Sequence, residues 1–122
     1  MVPDHNKKRG VMKFMYQAEK LSAAMRSLML PHPQGEAESI MHAFHNCSLG
    51  FHDLHDKDLD DNARSWVATI KELMDTTGID DPMGRGTWLI KAERLTEDQR
   101  CELSNAVDEL AHWFDRKFWG NE

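Results

Sequence analysis

Residues 95–118 read LTEDQRCELSNAVDELAHWFDRKF, and this stretch decides the fold. Thr96 followed three residues later by Gln99 is a capping box. The threonine hydroxyl accepts from a backbone N–H of the first turn, and the glutamine side chain accepts from the threonine's own N–H. Leu95 stands ahead of the cap, where a hydrophobic staple packs. Behind it, Leu103, Ala106, Val107, Leu110, Phe114 and Phe118 fall on one stripe at helical spacing, which predicts a helix ending near Gly120.

The same spacing recurs upstream. Ala63, Trp66, Val67, Ile70, Leu73 and Met74 predict a helix over 62–77, capped by Asp60 or Asp61 and stopped by Gly78. Ile40, Phe44, Cys47, Phe51 and Leu54 predict one over 36–55. Gly50 lies inside it, costs about 1 kcal/mol relative to alanine and admits a kink. Val11, Phe14, Ala18, Leu21, Met25, Leu28 and Met29 predict a helix over 11–30, ended by Pro31 and Pro33, which cannot continue the hydrogen-bond ladder. Between the last two helices, Asp80-Asp81-Pro82 and Gly84-Arg85-Gly86 read as turns, and Thr87-Trp88-Leu89-Ile90 as a short extended segment. The expectation is all-α: a four-helix antiparallel bundle with a long irregular connection before the last helix. It forms a single domain over 1–122, with 1–9 as a polar N-terminal arm.

Bulk properties narrow the function. With 122 residues the chain can bury a core without disulfide or metal support. Its formal charge of -6 opposes a general affinity for nucleic-acid phosphates, which needs clustered Lys and Arg. Two cysteines, Cys47 and Cys101, are no disulfide framework, so a cytoplasmic location is expected. The apolar positions behind the start are interrupted by Lys13, Glu19, Lys20 and Arg26, which excludes a signal-peptide core there. No run reaches the roughly 20 apolar residues of a membrane span.

The densest chemistry is His42-x-x-His45 followed by His52-x-x-His55. Imidazoles one turn apart can hold a divalent transition metal, with three or four ligands in all. At roughly 100° per residue, His42 falls nearly opposite the apolar stripe, whereas His45, His52 and His55 share one flank. Those three are the candidate metal ligands. His52-Asp53 and His55-Asp56 resemble the paired residues of metal-dependent helical phosphohydrolases, which take further ligands from separate helices. Asp53-x-x-Asp56 with Glu72-x-x-Asp75 resembles the carboxylate pairs of helical nucleotide pyrophosphohydrolases, where acidic pairs on neighbouring helices hold magnesium. Asp53 and Glu72, however, point away from their own apolar stripes. The alternating Asp56, Asp58, Asp60 and Asn62 suggest a calcium loop. Such a loop needs glycine at its sixth position and glutamate at its twelfth, and here Asp61 and Val67 stand there.

Large apolar residues off the stripes point elsewhere. Trp119 falls on the back of the last helix, Tyr16 off the main stripe of the first, and Trp88 and Met83 in the long connection. Exposed aromatic and methionine side chains on an acidic surface mark protein contact. The leading expectation is therefore a small acidic cytosolic interaction or regulatory domain. It has no catalytic activity or cofactor of its own, and docks a protein partner or a second copy through Trp88, Trp119, Met83 and Tyr16. The alternative is a metal-binding helical protein, such as a metal-dependent phosphohydrolase, built on His45, His52 and His55 with Asp53 and Asp56.

Overall fold

A computed structural model of the chain describes residues 14–29 and 35–120. The arm expected over 1–9, the first residues of the helix expected from 11, and the turn at Pro31 and Pro33 lie outside the described residues. Those described fold into α-helices with no strand among them: α1 (Met15–Leu28), α2 (Glu36–Phe51), α3 (Asp61–Met74), α4 (Thr87–Arg94) and α5 (Glu97–Asp115). A 3-10 turn (Asp56–Asp58) precedes α3, and a π-helical turn (Arg116–Gly120) follows α5.

The capping box forms as the sequence predicts. Gln99 N–H donates to Thr96 Oγ1 at 3.1 Å, and Thr96 N–H donates to Gln99 Oε1 at 2.9 Å. Leu103, Ala106, Val107, Leu110 and Phe114 are buried, and Phe118 is partly buried against them. Asp60 caps α3 by accepting from Ala63 N–H. At the other end α3 stops at Met74 rather than Thr77. The Asp75 carboxylate accepts from both the backbone N–H and the hydroxyl of Thr77, a local turn that competes with another helical residue.

Two further expectations are corrected. The second helix ends at Phe51, not at His55. Beyond it the core position is filled by Leu59, 3% exposed, which enters from extended backbone and so requires the chain to leave the helix first. The segment from Thr87 to Ile90 is helical, not extended. Both carboxylate oxygens of Asp81 accept backbone N–H groups, from Arg85 and Gly86 at 2.8 Å each, and Gly86 turns the chain at φ 103°. Arg85 then pairs with Glu93, and Ile90 and Ala92 are buried. Tertiary burial and this turn outweigh the weak extended preference of the residues.

The extra helix changes the bundle. α1 packs mainly on α2 and also on α5, α5 packs on α3, and α4 lies on α2 and touches α3. The neighbours close a ring in the order α1, α2, α4, α3, α5. Among the described residues five helices surround the core instead of four, with α4 seated between α2 and α3. Phe44, Phe114, Leu21, Ile70, Leu103 and Leu110 are its most enclosed large side chains. Gly50 sets the α1–α2 approach: a Cβ there would lie 2.9 Å from Leu21 Cδ2 and 3.2 Å from Lys20 Cβ. Among the described residues no helix is long and apolar enough to cross a membrane.

Candidate functional site

The end of α5, the π-helical turn and the start of α3 enclose an open cleft of about 680 Å³, within the size range of ligand and docking pockets. Three of the chain's four tryptophans line it: Trp66 from α3, Trp113 from α5 and Trp119 from the π-helical turn. Asp60 and Asn62 contribute from the start of α3, and His112, Asp115, Arg116 and Lys117 from the end of α5 and beyond.

Asp60 holds the cleft together. One carboxylate oxygen accepts from Ala63 N–H at 2.9 Å and so caps α3. The other accepts from the Trp113 indole N–H at 3.0 Å and ties that cap to α5. These bonds, the Ala63 N–H foremost and the Trp113 N–H next, hold the Asp60 carboxyl below its ordinary range. Trp113 is only 4% exposed and is fixed on its other sides by Phe14, at 5.6 Å between ring centroids, and Phe114, at 5.2 Å. The Lys117 ammonium stands 5.3 Å from its ring centroid. Trp119 differs: it rests edge-on against Phe118 and is 72% exposed.

Other apolar side chains gather at the same end. Phe14 packs on Trp113 and Phe114, so α1 begins where α5 finishes, and Met15 and Tyr16 are exposed there. Met83 and Trp88 belong elsewhere. Met83 is 81% exposed on the turn braced by Asp81 and Arg85. Lys91, on the same helix as the Arg85 partner Glu93, acts on Asp75 at the far end of α3 from Asp60. Trp88 is half-buried against the core, with the His45 ring edge-on to it at 6.2 Å. The four residues expected to bind a partner therefore do not form one patch: Trp119 lines the cleft, Tyr16 is exposed on α1, Met83 is exposed on the turn before α4, and Trp88 is half-buried against the core.

The histidine flank does not share one helix. His45 lies on α2 beside Trp88, whereas His52 is the C-cap and His55 is in extended backbone beyond it. His52 Nε2 lies 3.9 Å from Asp53 Oδ1, and these two side chains are 79% and 88% exposed. Among the described residues no three or more His, Cys, Asp or Glu side chains come together in a group that could hold a metal ion. Asp75, the last of the carboxylates in the pyrophosphohydrolase-like pattern, is engaged by Thr77.

The two cysteines lie in different surroundings. Cys47 is enclosed in the core, and burial pushes its thiol up to about 12. Cys101 is exposed, in a second cleft with Arg100, whose guanidinium pairs with Glu36 of α2 at 2.5 Å.

Sequence reasoning passed over Trp113 and the Asp60–Trp113 bond. A signal for the first was present, because Trp113 stands three residues after Leu110 and shares its stripe. The bond spans 53 positions and has no local signature. Comparison with known protein families, with curated proteins and with solved structures found no match to this chain.

Proposed function

We propose that the chain is a protein-interaction module without catalysis of its own, and that its docking surface is the tryptophan cleft with Trp119 as the anchor. The observation that carries this reading is the exposure of Trp119 beside two further indoles on a scaffold that buries every other large aromatic at least in part, Tyr16 excepted. Covering the exposed part of one indole is worth about 3–4 kcal/mol at ordinary transfer coefficients. Tryptophan is also among the residues that dominate binding energy at interfaces. Asp60 and the packing of Trp113 hold the cleft in shape before anything docks, which lowers the ordering cost of association.

The test is a photo-crosslinking amino acid placed at position 119, with a control at exposed Glu102 on another face of α5. In the native cell, protein adducts are expected from position 119 and not from 102. Equal labelling from both positions, or none from either, sinks the reading.

A further inference from the structure

We infer that α4 is a latch: with the turn before it, the segment 81–94 releases from the bundle as one unit and opens the seam between α2 and α3, while α1, α2, α3 and α5 stay packed. α4 does not line the tryptophan cleft, so the latch is separate from the docking surface above. Three observations carry it.

The first is where α4 sits. α2 and α3 scarcely touch one another, and α4 lies between them, packed on α2 and touching α3. Ile90 and Ala92 are buried, and Trp88 is half-buried with its ring meeting His45 of α2. The joints of α1 with α2, α1 with α5 and α3 with α5 form without α4. Its release therefore opens the ring at one place and leaves those joints whole.

The second is how α4 is held. Among the described residues, every side-chain hydrogen bond and ion pair of 81–94 is made inside that segment. Asp81 accepts from the N–H groups of Arg85 and Gly86, and Arg85 pairs with Glu93. Toward the other helices the segment offers apolar packing and the attraction of Lys91 for Asp75, an exposed carboxylate where water and salt screen the pull. Release breaks no side-chain hydrogen bond to another helix and so strands no partner.

The third is size. α4 has 8 residues and two buried side chains, Ile90 and Ala92, whereas α5 has 19 residues and buries seven. The part of a domain with the fewest buried apolar side chains is the part that opens first. The connection 75–80 leading into the segment is largely exposed, so moving it uncovers little. Once released, so short a helix does not persist in water, and release shows as loss of its backbone hydrogen bonds.

Native-state hydrogen exchange on the full chain, followed residue by residue by NMR in water and in low urea, tests the inference. After correction for intrinsic rates, the amides of 90–94 should exchange with one common protection, about tenfold or more below that of 103–110 in α5. Their exchange should depend little on urea, because release exposes little surface. Gly50→Ala, at the joint of α1 and α2, should speed exchange in α1 and α5 and leave 90–94 unchanged, since that joint stays closed in the released form. Ile90→Ala should speed exchange of 90–94 about tenfold or more. Equal protection of 90–94 and 103–110 overturns the inference, as does one common acceleration of both by Gly50→Ala. Protection that climbs steadily from the ends of α4 to its middle is fraying, and overturns it too.

Discussion

A single carboxylate, Asp60, both starts a helix and fixes the aromatic floor of the cleft. Asparagine there keeps an oxygen for Ala63 N–H and is an equally good cap. It turns an amide donor toward the Trp113 indole N–H, leaving that buried donor without an acceptor. Asp60→Asn should therefore cost about 1 kcal/mol or slightly more in denaturant unfolding at neutral pH. The sign of its pH dependence follows from the lowered carboxyl. The unfolded chain binds the proton more readily, so the stabilisation is fully present above the ordinary aspartate value of about 3.9 and is lost as pH falls through the folded value. The gap in stability between the parent chain and Asp60→Asn should narrow as pH drops from about 5 to below about 3. A gap that stays constant would show that the ionised carboxylate is not responsible. The exposed His52 and His55 give the opposite expectation. Replacing both by alanine should leave the melting temperature within about 1 °C of the parent, with or without zinc, because surface changes away from fixed partners alter stability little. A zinc-dependent rise lost in that variant would favour the metal reading.

At the scale of elements, the α1–α2 pair is the tightest joint. Glycine to alanine inside a helix normally gains about 1 kcal/mol. At Gly50 the added methyl would meet Leu21 Cδ2, on a side chain with no exposure, and Lys20 Cβ, which the α1 backbone holds in place. Gly50→Ala should thus destabilise by about 1–2 kcal/mol net, read as a lower urea midpoint at unchanged slope. A stabilised variant would mean the helices separate easily. The same joint shows what the sequence could disclose. α5 was legible because a capping box and a 3.6-residue stripe are local. The close approach at Gly50 was not, because a glycine that lets helices meet and one that merely weakens a helix look alike in sequence. α4 was not legible, because Thr87, Trp88 and Ile90 suit a strand in isolation. Its helix is imposed by Asp81 and by burial of Ile90 and Ala92. The early end of α2 depends on Leu59, which sits among aspartates and carries no periodic signal.

For the whole molecule, all-helical architecture was legible from periodicity, and the ring of five was not, since it depends on which surfaces α4 covers. Of the candidate docking residues, Trp119 and Tyr16 could be picked out as off-stripe. That the start of α1 meets the end of α5 follows only from the packing of Phe14 on Trp113, and the place of Met83 only from the turn that Asp81 and Arg85 brace. Enclosing one core has a further consequence through its two thiols. Cys101 meets solvent and Cys47 does not. An alkylating reagent should modify Cys101 promptly in the native protein and reach Cys47 only when the helices part. For a stable domain the second reaction should be slower by about 1,000-fold or more. Gly50→Ala should speed labelling of Cys47 in proportion to its loss of stability while leaving Cys101 unaffected. Comparable labelling rates at both cysteines would disprove the enclosure. Intact-mass spectrometry against time would read both rates from one sample, so the chain carries its own clock for how often its interior opens.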